Sequence, residues 1–265
     1  LSRNDPEAGL RMMDALPHYD LDISRAFFRS GEAPYPYMKA VDACLYLSTD
    51  KHEVAEAMEL GYPAGHVLPC AAAYDDGDNQ LRIAFDFDGV IVDDEAESQY
   101  ASGGLPLFHH HEVEHRKRPL GSGPLMPLLK QVSKLQKLQH DNPTASNEPG
   151  KPIRVAIVTA RSMPAHERVI TTLGAYEIEV DELFLTGGLE KKSILEVMRP
   201  QIFFDDQLNH LEPAAEGTPC VHIPFGVRNR RDPPIALPEQ PAPKRARKRK
   251  VAEKSPAAPG LDLPA

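Results

Sequence analysis

The stretch Leu81-Arg-Ile-Ala-Phe-Asp-Phe-Asp-Gly-Val-Ile-Val-Asp-Asp-Glu95 constrains this chain more than any other. Ile83, Ala84 and Phe85 read as a short strand, apolar on both faces, of the kind found in a parallel sheet. The strand runs into Asp86 and Asp88, which a β-pleat places on one face two residues apart. Gly89 then permits a tight turn that a side chain would obstruct. Two carboxylates at the end of a buried strand are costly unless a cation or a proton-transfer task accounts for them. The carboxyl ends of strands are also where open α/β sheets bind their ligands. A plain strand with an acidic turn is the alternative, and three later stretches weigh against it.

Strands and helices alternate around this stretch. Residues 1–75 read as a first unit, with a helical pattern over Pro6 to Tyr19 and short strand candidates at Ala26-Phe27-Phe28 and Ala43 to Leu47. A helix over Lys51 to Leu60 is bounded by Thr49 or Asp50 at its start and Gly61 at its end. Tyr74 to Asn79 is a polar break and the domain boundary. Residues 91–151 interrupt the sheet, and Leu125, Leu128, Leu129, Val132, Leu135 and Leu138 mark one face of an amphipathic helix there. A Pro/Asn-rich loop, Asp141 to Pro152, follows. Strands are then expected at Ile153–Val158, Glu182–Leu185, Gln201–Phe204 and Val221–Ile223. The helices between them are Pro164–Leu173, stopped by Gly174, and Lys191–Met198. This order predicts an α/β fold, a doubly wound parallel sheet with helices on both faces, in a domain over 76–226. From 227 to 265 prolines and charges prevail, and a disordered basic tail is expected.

The two units share a spacing. Ser2 to Ser48 and Thr159 to Asp205 are both 46 positions (48 − 2 and 205 − 159). Between them Ala26-Phe-Phe matches Leu183-Phe-Leu185, and Tyr46-Leu-Ser-Thr49 matches Phe203-Phe-Asp-Asp206. The first unit has Pro34, Ser48 and Thr49 where the second has Lys191, Asp205 and Asp206. It reads as a degenerate copy that lacks its first strand and has no chemistry of its own.

Charge narrows the function classes. The net charge of −9 divides into a tail of +3 from Asp232 onward (seven basic, four acidic residues) and a body of −12. An acidic body argues against specific nucleic-acid binding. No apolar run approaches the ~18–20 residues of a membrane span. Cys44, Cys70 and Cys220 lack metal-ligand spacing and read as reduced thiols of a cytoplasmic protein. Lys244-Arg-Ala-Arg-Lys-Arg-Lys250 resembles a nuclear import signal, which adds an import receptor as a partner and the nucleus as a second location.

A doubly wound sheet brings four strand-end features together: Asp86 with Asp88, Thr159, Lys191, and Asp205-Asp206. Three or four clustered carboxylates demand a hard divalent cation, and Mg²⁺ suits oxygen ligands. Asp86 can attack phosphorus as a nucleophile. Asp88 can protonate the leaving alkoxide and then take a proton from water. Thr159 offers a hydroxyl and a backbone N–H to a phosphoryl oxygen, and Lys191 the positive charge that the transition state needs. Singly, each has a plainer reading: Thr159 as a turn residue, Lys191 and Lys192 as solvated lysines, Asp205-Asp206 as helix caps.

Asp86-Phe-Asp-Gly-Val, Val158-Thr-Ala-Arg161, Lys191 and Phe203-Phe-Asp-Asp-Gln207 resemble the four motifs of the haloacid dehalogenase-like phosphohydrolases. Ser2-Arg-Asn-Asp-Pro, Gly9-Leu-Arg11, Leu21-Asp-Ile-Ser-Arg-Ala26, Tyr35-Pro-Tyr37, Gly103-Gly-Leu105 and Gly123-Pro-Leu125 are similar to segments of one branch, the cytosolic type I 5′-nucleotidases. The resemblance implies Mg²⁺-dependent hydrolysis of nucleoside 5′-monophosphates, AMP-like in particular, through an aspartyl-phosphate. It implies Asp86 as nucleophile and metal ligand, and Asp88 as acid/base and carbonyl ligand. Thr159 and Lys191 would hold the phosphate, with Asp206 as outer metal ligand and Asp205 beside it. It also implies a cap in the 91–151 insertion, and leaves a nucleotide activator and a homo-oligomer open. The family's segment around Lys191 is one residue shorter than Gly187–Ser193 here, which keeps Lys192 a rival. Arg161 either reaches the phosphate or pairs with an acidic neighbour. His109-His-His111, Glu112 and His115 have helical metal-ligand spacing but read as a solvated face. Phe108 reads as core rather than as a base-stacking ring. The alternatives are a phosphatase of another ester within the superfamily, and a non-catalytic nucleotide-binding regulator.

Overall fold

The computed structural model describes residues 1–72, 79–141 and 152–229, without the side chains of 140 and 141. Most of the Tyr74–Asn79 break, most of the Asp141–Pro152 loop, and the tail with Lys244–Lys250 lie outside the described residues. Asp5 caps the first helix, α1 (Pro6–Ala15), by accepting from the Ala8 N–H at 2.7 Å, and Pro17 begins a single 3-10 turn beyond it. A 3-10 segment, Tyr35–Val41, leads to β1 (Tyr46–Ser48), α2 (Lys51–Glu59) and β2 (Ala64–Val67). Asp50 caps α2 through the His52 and Glu53 N–H groups, and Gly61 just past its end takes φ +80°. There follow β3 (Leu81–Phe85), α3 (Glu95–Glu114), α4 (Met126–Asp141), β4 (Ile153–Thr159), α5 (His166–Ala175), β5 (Glu182–Leu185), α6 (Lys191–Met198), β6 (Ile202–Asp205), α7 (Leu208–Ala214) and β7 (Cys220–His222).

All seven strands join one sheet in the order β1-β2-β7-β6-β3-β4-β5. Every neighbouring pair is parallel except β2 and β7, which run antiparallel with His66 opposite His222 and Val67 opposite Val221. From β3 the chain winds outward through β4 and β5, then returns to the other side of β3 for β6 and β7. The direction of winding therefore reverses at β3, which opens a crevice at its carboxyl end. Leu1–Arg230 form one compact unit, so the strands on both sides of the expected boundary share one sheet.

Strand alternation divides the core between the two faces. Phe85, Val155, Ile157 and Phe204 pack with Phe108 of α3, Leu129 of α4 and Val169 of α5. Ala84, Val158 and Phe203, one residue out of phase, pack with Leu195 of α6 and Leu211 of α7. Each fully buried large apolar side chain contributes about 1.5–3 kcal/mol relative to exposure. Tyr35, Met38, Tyr46, Val54 and Ala57 form a third cluster around β1 and α2.

The differences from expectation are local. Ala26–Phe28 makes only a single parallel bridge, Phe28 to Ser2, because Ser30 and Gly31 turn the chain away with φ of +50° and +95°. Gly174 lies inside α5, and the turn comes at Glu177 with φ +56°. β2 was not expected, α7 was foreseen only in the reading of Asp205-Asp206 as helix caps, and α3 only in the helical spacing of His109 to His115. Ala64-Gly-His-Val67 carries no alternation, Pro213 obscures the helical pattern of α7, and Gly103-Gly104 leave helical geometry and kink α3 into two helical stretches. Among the described residues no helix is long and apolar enough to cross a membrane.

Candidate active site

The register of β3 against β6 brings the first two acidic stretches together. Phe85 lies opposite Phe204, and the Asp86 N–H donates to the Phe204 carbonyl at 2.7 Å. Asp86 and Asp205 thus emerge side by side, and Lys191 at the first turn of α6 reaches both. Its Nζ stands 2.9 Å from Asp86 Oδ1, without hydrogen-bond alignment, and donates to Asp205 Oδ2 at 2.7 Å. A lysine is poorly placed at a helix N-terminus, so these two carboxylates supply what the helix dipole does not. Burial works against the Lys191 charge, but Asp205 and Asp86 outweigh it and hold the ammonium above its ordinary range. Lys192 points elsewhere, to Glu216 at 2.6 Å.

Burial pushes the Asp86 carboxyl up to about 7, against the pull of Lys191. Asp205 goes the other way. Burial would raise it, yet Lys191 and His210 bring it below the usual carboxylate range. It also accepts the Gln207 N–H at 2.8 Å, so its oxygens are well occupied.

Asp88 meets Arg161, not a solvent gap. The guanidinium donates from Nε and from one terminal nitrogen to the two Asp88 oxygens, each at 2.7 Å, a bidentate pair. Its other terminal nitrogen reaches Glu112, which is fully buried and also accepts from Arg168 at 2.8 Å. Arg168 in turn donates to Glu95 at 2.9 Å. Asp88 is thereby tied through two arginines to both ends of α3. Of the two readings of Arg161, the acidic neighbour is the one observed here. Glu112 is core, not part of a solvated histidine face, while His110 is exposed and His111 leans on Glu95 and Glu112. Thr159 is buried at the end of β4, and its hydroxyl accepts the Arg161 N–H at 3.2 Å. Phe108 is 8% exposed, part of the core and also of the cleft wall.

Asp206 is the exception to this pairing. Both its carboxylate oxygens are buried and have no hydrogen-bond partner among the described residues. Its backbone is firmly held, the carbonyl accepting from Asn229 at 2.8 Å and facing His222 Nε2 at 3.0 Å. Gly89, at φ +70°, lies so close that a Cβ there would stand 2.7 Å from Asp206 Oδ2. Burial, then Asp86, Glu97 and Asp205, push the Asp206 carboxyl up to about 10. A buried carboxylate with neither proton donor nor cation is expensive. An all-oxygen set of Asp86 and Asp206 beside a glycine turn fits a hard divalent ion. Asp86, Asp205 and a His210 nitrogen also converge within 4.8 Å, but Asp205 is taken by Lys191 and Gln207 and is the poorer ligand.

A cleft of about 350 Å³ opens beside these groups. Asp88, Arg161 and Gln207 form its inner part, Gly187 and Gly188 one side, and Tyr100, Leu105 and Phe108 of α3 an apolar wall. Of the residues singled out from sequence, Lys191 contacts both Asp86 and Asp205, and Arg161 contacts Asp88 in a second pair. Thr159 touches that pair through Arg161, Asp206 adjoins Asp205, and Lys192 does not enter. Sequence reasoning missed Glu97, Arg168, His210 and Arg228, and gave Glu112 and Gln207 no role at this site. Gln207 and His210 follow an acidic pair and were within reach; the others depend on partners at least 49 positions away.

Comparison with known proteins gives the family of the chain. A family model described as 5′-nucleotidase matches residues 1–230. Human cytosolic 5′-nucleotidase 1B is 36% identical over 216 residues, which is 81% of this chain and 35% of that protein, so the chain spans about a third of that relative's length. A chain in the structure of the Pnkp1/Rnl/Hen1 complex aligns over 63% of this chain and 53% of its own, at 18% identity and a TM-score of 0.35, too low to carry fold or function. The match across residues 1–230 and the identity to the human protein establish the affiliation: this chain belongs to the cytosolic type I 5′-nucleotidase family.

Proposed function

We propose that the chain hydrolyses nucleoside 5′-monophosphates, AMP-like ones in particular, to nucleoside and phosphate in the cytoplasm. The observation that carries this reading is the buried group of Asp86, Lys191 and Asp206 at the carboxyl ends of β3 and β6, beside a cleft of nucleotide-compatible lining. The site chemistry supports Mg²⁺ as cofactor, with Asp86, Asp206 and the Asp88 carbonyl holding it. When bound, that ion supplies positive charge to the phosphoryl oxygens and keeps Asp86 ionised.

The chain's own residues then divide the work. An Asp86 oxygen attacks phosphorus, and the bond from phosphorus to the nucleoside O5′ breaks. Asp88, released from Arg161 and carrying the proton it takes from water in the preceding cycle, delivers that proton to the departing O5′. In the second half a water attacks the aspartyl-phosphate, Asp88 takes its proton, and the bond from phosphorus to the Asp86 oxygen breaks. Lys191 counters charge on the phosphoryl oxygens and on Asp86. Thr159, whose oxygen already accepts from Arg161, has its hydroxyl proton available to the phosphate. A dianionic phosphate entering the cleft competes with Asp88 for Arg161, which frees Asp88 for proton transfer.

In this reading α3 and α4 are the cap of a haloacid dehalogenase-like domain, and Tyr100, Leu105 and Phe108 face the nucleoside. The first unit is the degenerate copy. Adding 157 to Ser2 and Phe28 gives Thr159 and Leu185, and the Ser2–Phe28 parallel bridge repeats the Thr159–Leu185 pairing of β4 with β5. The same shift carries β1 onto 203–205 and α2 onto 208–216, close to β6 and α7. It carries β2 onto 221–224, close to β7, so the antiparallel seam joins corresponding strands of the two copies, as in an isologous dimer. Where the second unit has its acidic group, Ser48 and Arg3 bond Glu53 instead.

The test is phosphate release from AMP, other nucleoside monophosphates and ribose 5-phosphate, with Mg²⁺ and with chelator. Turnover of the nucleotides only, and only with Mg²⁺, is expected; equal turnover of ribose 5-phosphate would point to a phosphatase of another ester.

A further inference from the structure

One more carboxylate near the site is unaccounted for by this chemistry. Glu97 stands in the first turn of α3 and is 7% exposed. One of its oxygens accepts from Arg228 Nε at 2.7 Å and from the Gln207 side chain at 3.3 Å. The other, Oε2, is buried without a hydrogen-bond partner among the described residues. Arg228 is itself 43% exposed and offers one nitrogen, so the pair leaves half of the carboxylate unsatisfied. A merely structural ion pair has no reason to bury an oxygen in this condition.

The surroundings say what that oxygen is for. Gln207 bonds Asp205 with its backbone N–H and Glu97 with its side chain, which fixes Glu97 next to the Asp205–Asp206 turn. Arg228 and Asn229, adjacent in the chain, clasp Glu97 and the Asp206 carbonyl respectively. Glu97 is one of the charges that push the Asp206 carboxyl up, and burial together with Asp88 and Asp205 works in the same direction on Glu97. Glu97 Oε2 and both Asp206 oxygens are thus buried without a hydrogen-bond donor among the described residues, on two carboxylates 109 positions apart in sequence (206 − 97).

We propose that Glu97 is a positioning residue of the cation site, its free oxygen turned to the outer side of a divalent ion and acting on it through water. This rests on the reading that Asp86 and Asp206 hold that ion. It also gives α3 a part in the site beyond the apolar wall, since Glu97 adds its carboxylate to the acidic set. The rival occupant of the Glu97 oxygen is a substrate hydroxyl, since Glu97 also borders the cleft.

The experiment is Mg²⁺ titration without nucleotide, followed by thermal unfolding, on the unmodified chain, Glu97→Gln and Asp206→Asn. Outer-sphere partners of a metal typically change its affinity by 10–100-fold, so the half-saturating Mg²⁺ concentration of Glu97→Gln is expected to rise by about tenfold or more. Asp206→Asn is expected to lose the Mg²⁺ response altogether. An unchanged midpoint in Glu97→Gln, with the response lost in Asp206→Asn, overturns the role of Glu97 and leaves the cation site standing. In that case, loss of discrimination between AMP and 2′,3′-dideoxy-AMP in binding by Glu97→Gln identifies the hydroxyl contact instead. A wild-type midpoint in Asp206→Asn overturns the cation site itself, and the role of Glu97 with it. Glu97→Asp serves the same comparison if the glutamine variant does not fold.

Discussion

Lys191 bridges two buried carboxylates, and its loss has consequences that Lys192 does not share. Lys191→Met keeps the stem but removes the charge, leaving Asp86 and Asp205 to face each other. Phosphate release is expected to fall by roughly 10²–10³-fold, the usual cost of one preorganised electrostatic donor. Lys192→Met, which touches only the exposed Glu216, is expected to stay within about twofold, because exposed ion pairs contribute little. Steady-state phosphate release on the two variants checks this; equal losses would contradict the assignment. Both lysines were visible in the sequence, and only the fold separates them. Asp86, Asp88 and the Asp205-Asp206 pair were legible because each sits where a short apolar strand stops. The roles of Glu97 and Glu112 were not, since a glutamate in a helical run carries no mark of partners 49 or more positions away. Burial of Glu112 is decided by Arg161 and Arg168 arriving from β4 and α5.

Helix α3 is the element that the arginine network holds down. Glu112 near its end and Glu95 at its start both take Arg168, and Glu112 also anchors the arginine that holds Asp88. Glu112→Gln leaves two buried guanidinium groups short of a counter-charge, a change worth about 3–5 kcal/mol. The expected result is a melting temperature lower by on the order of 10 °C. Turnover should fall as well, because Glu112 anchors the guanidinium of Arg161 that meets the phosphate in the proposed cycle. A variant as stable as the parent would mean that the network is dispensable. The strands β3 to β6 were readable from apolar runs between turns, whereas β2 was not. Ala64-Gly-His-Val67 becomes a strand through its partner, with Gly65 so close to Val221 that a Cβ would stand 2.4 Å from it. That pairing joins the two halves of the sheet, and nothing in a four-residue window announces it.

Across the whole molecule, the acidic site links folding, pH and the cation. Asp86 and Asp206 have carboxyls raised to about 7 and about 10, above the ~3.9 of an unfolded aspartate. Without a cation, the folded chain therefore holds these protons more tightly than the unfolded one. That contribution is fully present below about pH 4 and is lost as pH rises through about 7 and then about 10. A divalent ion needs the deprotonated carboxylates and replaces the lost protons. The rise in melting temperature on adding saturating Mg²⁺ should thus be larger at pH 8.5 than at pH 6; an equal or smaller rise would refute this coupling. The central claim, that Asp86 is the atom donor to phosphorus, is tested most directly by phosphate release from AMP in Mg²⁺ by the parent chain and by Asp86→Asn, with melting temperatures measured alongside. The account predicts release by the parent and none above background by a folded Asp86→Asn. Release by Asp86→Asn at the parent's rate would contradict it.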